Sequence, residues 1–550
     1  MLVLSLHIPL LALAGRAAAA DAPAVAQAAE AAGAAAPQPR SPRAPNTFSV
    51  YEYRVEGNTL LSQVEIERAV YPCLGDDRLI ADVEAARQRL EKTYHDRGYL
   101  TVLVNIPPQK VSEGVVTLKV IEAPVGKLSV QGERHFSEGM IREAVPALAE
   151  GSVPDFNEVQ KELAQANRSA DRRVTPILKA SDTPGRVDVE LEVKDALPLH
   201  GSVELNNRYS QNTSHLRAIG QLHYDNLFQS DQSISAQYQT SPLKPSDVEV
   251  YSLSYVIPTA SGPVWALYAV RSNSNVAAVG DLNVIGNGDI VGARLIAPLG
   301  GIGPGFYHSF TAGFDYKRFK QEVVLTGADT SVNSPIHYVP FSAQYSATWQ
   351  DLPQQGSAAA GDISSTTLDA GFSFAVSGLG SNGMQFDEKR SGASASFLIL
   401  HPGLGRVQAL PHQWSLSVRF DGQIASGPLI SNEQFGAGGA DSVRGYDESE
   451  RLGDDGWRSS MELRTPGLLS GYDPRIEKSY LLAFAEAAQL DVREPLPGTQ
   501  SHFSLVSVGL GFRFKARGLN IDLDGAHVLK SGAETRAGAN RGLFRVNYGF

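Results

Sequence analysis

Residues 435–448 read Phe-Gly-Ala-Gly-Gly-Ala-Asp-Ser-Val-Arg-Gly-Tyr-Asp-Glu. Glycines at 436, 438 and 439 permit a tightly folded loop, and Gly445 lets the main chain approach a wall. Arg444 in such a loop can fork two hydrogen bonds onto a carboxylate, or it can stay solvated as an ordinary loop cation. Catalytic constellations are missing: the chain has no H-E-x-x-H, no G-x-S-x-G and no G-x-x-x-x-G-K-[ST]. Residues 378–383 (GLGSNG) fit G-x-G-x-x-G, but they sit between two strand-like segments with no following helix, which is the wrong setting for a dinucleotide site. The 12 histidines show no metal spacing. Cys73 is the single cysteine, which excludes an intramolecular disulfide and any cysteine-based cluster; in its Tyr-Pro-Cys-Leu-Gly turn it reads as a small packing residue. The expectation is a protein that is no enzyme and has no cofactor and no metal.

Composition narrows the class further. The 550 residues carry 48 Lys plus Arg against 59 Asp plus Glu, a net charge of −11, which argues against a nucleic-acid partner. Hydrophobic residues at 42% and charged residues at 19% suit an ordered chain. The longest lipophilic run, 2–15, is interrupted by His7 and Pro9 and falls short of the roughly 20 residues that a membrane helix needs. Helices therefore do not cross a bilayer.

Positions 1–20 read as a signal peptide: an apolar stretch followed by a small-residue zone near 18–20, although no Lys or Arg precedes Arg16. Residues 21–46 read as an Ala-rich segment and a Pro-rich linker. Two small α/β units follow, over 47–123 and 124–197. In the first, a strand through Val50, Tyr53 and Val55 ends at the Gly57-Asn58 turn signal. Helices are expected at 62–71 and 79–96, the second carrying Leu79, Val83, Ala86, Leu90 and Tyr94 on one face, with Asp76 and Asp77 as cap candidates. Strands at 99–106 and 115–121 complete a β-α-α-β-β order. The second unit repeats it with strands at 127–130, 173–180 and 186–193 and helices at 137–148 and 156–170.

From 198 to 550 alternation replaces helical periodicity. Val506, Val508, Leu510, Phe512 and Phe514 oppose Ser507, Gly509, Gly511, Arg513 and Lys515. Val339, Phe341, Ala343, Tyr345, Ala347 and Trp349 oppose Ser342, Gln344, Ser346, Thr348 and Gln350. Long strands with one polar set suit a membrane barrel with a wet lumen and a lipid-facing apolar surface. Sixteen candidate strands, from 201–209 to 541–550, predict a mainly β chain: a 16-stranded antiparallel transmembrane β-barrel preceded by two modules. Phe544, Val546, Tyr548 and Phe550 alternate to the chain end, where the last strand can pair with the first and remove the exposed edge. If the modules are periplasmic, parity puts the longest connection, 426–456, outside the cell.

Three segments carry a family resemblance. VEGNTLL at 55–61, LEKTYHDRGYLTVLVNIPPQ at 90–109 and EGVVTLKVIEAPVG at 113–126 resemble a polypeptide-transport-associated (POTRA) domain, with Gly57, Asn58, Tyr94, Arg97, Gly98, Tyr99, Pro108 and Gln109 as its signature positions. Val443, Arg444, Gly445 and Tyr446 match the VRGY signature of the superfamily that holds barrel insertases and two-partner-secretion transporters. Tyr548 and the terminal Phe550 resemble an outer-membrane barrel assembly signal. Taken together, the chain resembles two-partner-secretion outer-membrane transporters of the haemolysin secretion/activation type.

That resemblance implies an outer-membrane pore with periplasmic POTRA domains. Its implied partners are a large β-helical secreted exoprotein of haemolysin or adhesin type, outer-membrane lipid, and the barrel assembly machinery during biogenesis. It implies that Arg444 pairs with an acidic residue of an F-x-D-x-G motif on the thirteenth strand. The matching segment here is Phe484-Ala485-Glu486-Ala487-Ala488, with Glu486 in place of Asp and Ala488 in place of Gly. It further implies that 21–36 forms a plug helix. The alternative is an outer-membrane barrel assembly or insertion factor; a diffusion porin would have no reason for docking modules.

Overall fold

The structure is a computed structural model. It describes residues 47–550 except 112, 212, 260–261, 275, 280–281, 321, 325–330, 334, 352–362 and 470–471. The expected signal peptide, linker and plug helix lie outside the described residues.

Alternation at every second residue builds the larger part of the molecule, because a period of two puts one face of each strand in the lumen and the other outside. Sixteen antiparallel strands close into a barrel. They are β1 (Leu199–Asn206), β2 (Arg217–Leu227), β3 (Gln232–Thr240), β4 (Glu249–Pro258), β5 (Val264–Ser272), β6 (Asn287–Pro298), β7 (Phe306–Lys320) and β8 (Ile336–Gln350). The second half comprises β9 (Ser365–Gly380), β10 (Phe397–Ala409), β11 (Ser415–Ala425), β12 (Asp455–Arg464), β13 (Ile476–Asp491), β14 (His502–Ala516), β15 (Leu519–Val528) and β16 (Asn540–Gly549). The longest, β9 and β13, each span 16 residues.

The seam pairs β16 with β1 from Arg545 opposite Asn206 to Gly549 opposite Ser202. Beyond it, Phe550 and Gly201 exchange backbone hydrogen bonds of 2.9 and 3.0 Å. A Cβ on Gly201 would lie 2.4 Å from the Phe550 ring, so the glycine makes the seat for the terminal aromatic. Phe550 and Tyr548 are themselves exposed on the outer face.

Even-to-odd connections include turns as short as 517–518 and 228–231, whereas the odd-to-even connection 426–454 is the longest between barrel strands. Leu222, Leu253, Phe310, Phe372 and Leu510 face outward and are exposed, while Ser342, Gln344, Ser373 and Ser507 are buried toward the lumen. The expectation of a polar lumen fails at one end. At the odd-to-even end the inward side chains include Val250, Val270, Ile290, Phe319, Ile336 and Tyr338, which pack with Phe386, Leu429 and Ile430 from two connections into one apolar core. Loops enter the barrel there, and a surface covered by loops is buried like a protein core.

The N-terminal unit ends at Pro198 and the barrel begins at Leu199. Its first module holds a sheet of Glu52–Glu56, Val115–Glu122 and Val102–Asn105, the first two parallel, under helices Gln63–Val70 and Ile80–Asp96. Tyr94, Leu90 and Ala86 are fully buried beneath Ile80–Asp96, as their spacing predicts. Two details differ from expectation. The first strand is split, and its leading piece Phe48–Val50 pairs with a short strand Gly75–Arg78. Asp76 is consequently no helix cap; it accepts hydrogen bonds from the Ser49 and Tyr51 hydroxyls at 2.8 and 2.7 Å. Those hydroxyls, Tyr51 foremost, hold its carboxyl below the ordinary value. Asp82 receives the N–H of the cap residue Leu79 at 2.8 Å instead.

The second module repeats the plan with a sheet of Val125–Gln131, Val187–Asp195 and Arg172–Ala180 and with helices Glu138–Glu143 and Phe156–Ala166. The duplication extends to single residues. Gly57 and Gly132 both have positive φ, and a Cβ on either would strike a carbonyl of its last strand, Val120 at 2.5 Å or Val193 at 2.4 Å. Glu122 accepts the N–H groups of Thr59 and Leu60, and Asp195 accepts those of Arg134, His135 and Phe136. A carboxylate at the end of the last strand thus caps the turn after the first strand in both copies.

Candidate functional site

The connection 426–454 folds into the barrel. Its glycines allow the descent: Gly438 and Gly445 have φ of 109° and 99°. A Cβ on Gly445 would lie 2.9 Å from Val528 and 3.2 Å from Ala526, so the main chain is pressed against β15. Val443 and Tyr446 are buried with Phe435, Ala488, Leu490, Leu505 and Val528. The Tyr446 hydroxyl lies 2.6 Å from the Lys530 carbonyl and 3.0 Å from the Val506 carbonyl, and it accepts the Val506 N–H at 3.0 Å.

Arg444 is 3% exposed. Its Nε donates to Glu486 Oε1 at 2.8 Å, and its own backbone N–H donates to Glu486 Oε2 at 2.7 Å. Nη2 reaches Glu462 on β12 at 2.7 Å, and Nη1 reaches Asp524 on β15 at 3.2 Å. The guanidinium lies 3.6 Å over the Phe484 ring. Two further arginines close the network: Arg464 donates to Glu462 at 2.8 Å and Arg513 to Asp524 at 3.0 Å. Arg444, Arg464 and Arg513 therefore alternate with Glu462, Glu486 and Asp524, so each buried charge has opposite partners.

Glycines on β14 clear this space. A Cβ at Gly509 would meet the Phe484 ring at 2.3 Å, and one at Gly511 would meet Asp524 at 2.3 Å. The two departures from the F-x-D-x-G pattern are accommodated. Glu486 spans the distance with both oxygens engaged, and Ala488 packs in the apolar cluster with Val443 and Tyr446.

Sequence reasoning brought Arg444, Phe484 and Glu486 together but missed Glu462, Asp524, Arg464, Arg513 and the two glycines. Acidic residues at lumen parity, Glu462 on β12 beside β13 and Asp524 on β15 two strands away, were the available signal. The motif's last two residues also bond: Asp447 pairs with Arg541 at 2.6 Å, and Glu448 accepts from Arg208 at 3.2 Å.

The first-module signature positions are absorbed by the fold. Asn58 Oδ1 takes the Leu61 N–H at 3.0 Å and the Tyr94 hydroxyl at 2.5 Å. Burial, with Glu122 close by, pushes the Tyr94 phenol well above its ordinary value. Gln109 bonds both the carbonyl and the N–H of Thr117 at 2.7 and 2.8 Å, extending the ladder where Val102–Asn105 stops. Arg97 pairs with Glu65, and the Tyr99 N–H returns to the Tyr94 carbonyl. Gly98 meets the second module: its carbonyl accepts the Phe156 N–H at 2.9 Å, and a Cβ there would strike Asp155 and Asn157. Pro108 is exposed just before Gln109.

Comparison with known proteins agrees with this fold. Residues 48–123 match the ShlB-type POTRA domain, and 354–484 match the haemolysin secretion/activation protein family ShlB/FhaC/HecB. The outer membrane transporter CdiB of Dickeya dadantii strain 3937 is 27% identical over 181 residues, 33% of this chain and 32% of that protein. The match thus spans about a third of that relative's length. The heme/hemopexin transporter protein HuxB of Haemophilus influenzae (strain ATCC 51907 / DSM 11121 / KW20 / Rd) is 20% identical over 399 residues, 71% of this chain and 67% of its own. In fold, CdiB from Escherichia coli superposes with a TM-score of 0.63 at 18% identity, covering 94% of this chain and 93% of that one. BamA from Haemophilus ducreyi lacking POTRA domains 1–3 gives 0.55 at 14% identity, covering 92% and 100%. With a ShlB-type POTRA match over 48–123, a closed 16-stranded barrel and an Arg444 loop seated in its lumen, the chain is similar to outer-membrane transporters of the ShlB/FhaC/HecB haemolysin secretion/activation type.

Proposed function

We propose that this chain is an outer-membrane translocation pore for two-partner secretion, which binds an unfolded partner protein through its periplasmic modules and delivers it to the cell surface. The observation that supports this reading best is the 426–454 loop, held inside the lumen by the Arg444 network. A passive solute channel has no use for docking modules ahead of its barrel. Both N-terminal modules are read as POTRA domains, with the duplicated glycine and carboxylate as the support for the second. Each three-stranded sheet leaves two outer strands, and an extended segment can add to such an edge through main-chain hydrogen bonds. The partner is read as a large β-helical exoprotein of haemolysin or adhesin type. Directionality comes from folding at the cell surface, and no catalytic step is assigned to any residue.

The test is coexpression with an exoprotein encoded beside this chain, comparing wild type with Arg444→Ala. The expected result is partner at the surface with wild type and partner retained in the periplasm with the variant, while the barrel stays assembled. Secretion at the wild-type level by an assembled Arg444→Ala barrel overturns the loop's role. A fall in several unrelated outer-membrane barrels on depletion would instead favour the assembly-factor reading.

A further inference from the structure

The loop has a second buried charged contact, at its neck rather than its tip. Asp454, fully buried, staples the two ends of the connection together. Its carboxylate accepts the N–H of Leu429 at 2.9 Å, the Gln434 amide at 3.2 Å and the N–H of Arg493 at 2.7 Å, and it pairs with Arg390 from the 381–396 connection. The neck is rooted in β11 and β12. From it Glu433, 0% exposed, crosses to strands further round the wall, where its Oε1 accepts the Lys317 ammonium of β7 at 2.7 Å and the Tyr338 hydroxyl of β8 at 2.5 Å.

Around that contact lies the apolar core that lines the odd-to-even end of the barrel wall from β4 to β11. The Tyr338 ring meets Phe386 edge-on at 5.5 Å and Phe397 at 6.3 Å. Phe386 belongs to the short helix Gly383–Lys389 of the same connection that supplies Arg390. Glu433 is therefore a direct charged link between the neck and the β7–β8 wall, within that core.

This link is unlike the Arg444 network. Glu433 Oε2 has no hydrogen-bond partner, so the cost of burying its charge is only partly offset. At the tip, each carboxylate oxygen of Glu486 is bonded, and the loop backbone itself is held.

We propose that Glu433, with Lys317 and Tyr338, is the latch that keeps the neck against the β7–β8 wall, and that this latch parts when the conduit opens while the Arg444 tip stays seated. Glu433 is a positioning residue: it acts on the neck, not on a passenger. The inference rests on the pore reading above, but its test needs no partner protein, so the two fail separately.

Full-length protein is reconstituted in liposomes, and efflux of a small hydrophilic dye is compared between wild type and Glu433→Gln, Lys317→Met, Tyr338→Phe and the double variant Lys317→Met/Glu433→Gln. Each charge variant strands the opposite buried charge, so efflux is expected to rise about five- to tenfold, within the range one coupled contact supplies. Tyr338→Phe, which keeps the ring packing, gives a smaller rise. The double variant leaves no stranded charge and returns toward wild type, a reversal that general loosening of the barrel would not produce. Wild-type efflux in all single variants overturns the latch, as does a double variant that leaks as much as its parents. If a charge variant fails to assemble, as read by heat-modifiable electrophoretic migration, Tyr338→Phe and the double variant decide alone. In the leaking Glu433→Gln variant, amide exchange within 443–446 is expected to stay slow, and its acceleration overturns the claim that the tip stays seated.

Discussion

The tip and the neck of one loop are anchored by opposite strategies. At the tip, one guanidinium answers three carboxylates from three strands, and two flanking arginines complete the balance. At the neck, Asp454 gathers backbone and side-chain donors into a staple, while Glu433 reaches one ammonium and one phenol and keeps an oxygen unpaired. A closed polar network fixes position, because breaking any part leaves a buried charge. A sparse contact holds position with less penalty for release. Both lie in one lumen, so the difference reflects ligand count rather than burial.

Substitutions test that contrast in order of expected size. Arg444→Ala leaves Glu486 buried without its main partner and weakens Glu462 and Asp524. The local cost is about 3–5 kcal/mol, and protease cleavage or hydrogen exchange within 435–453 rises sharply while the barrel resists denaturation. If exchange there stays slow, the tip is held by its apolar packing and the contrast collapses.

Asp454→Asn turns one acceptor oxygen toward donors as an amide. The cost is about 2–3 kcal/mol, read as faster exchange at the Leu429 and Arg493 amides with Arg444 contacts unchanged. Loosening of the tip as well would mean that the two anchors are one unit.

Gly445→Ala must place a Cβ against Val528 at a φ of 99°. The strain is about 1–3 kcal/mol, and a lowered thermal transition of the loop by calorimetry checks it. Tyr446→Phe removes one hydroxyl that bridges Val506 and Lys530 and costs about 1 kcal/mol. Slightly faster exchange at the Val506 amide, with no change in dye efflux, is the expected outcome and limits how much of the seat depends on the phenol.

Much of the architecture was legible. All sixteen barrel strands have a counterpart among the alternating segments, although the tenth, expected at 392–401, runs over Phe397–Ala409; alternation survives because a lipid-facing surface and a lumen select opposite residue types along every strand. The Ile80–Asp96 helix follows from Val83, Ala86, Leu90 and Tyr94. Asp76 misled because a short acidic run ahead of a helix resembles a cap, whereas a long-range pairing with Phe48–Val50 claims it. The apolar core at the odd-to-even end was illegible for a related reason. Val250, Ile290 and Ile336 occupy lumen parity, and only loops folding inward make apolar residues stable there.

The amino-acid sequence by itself determined the mainly β class, the strand count, the first module and the presence of an arginine loop, which are written in local periodicity and in motifs contiguous along the chain; Glu486 as the acidic partner came only through the family resemblance. Only the tertiary structure decided that Glu462 and Asp524 join Glu486, that Gly509 and Gly511 clear their space, and that Glu433 reaches Lys317 and Tyr338. These contacts join residues tens to more than a hundred positions apart, and barrel closure and register, which no local pattern encodes, bring them together.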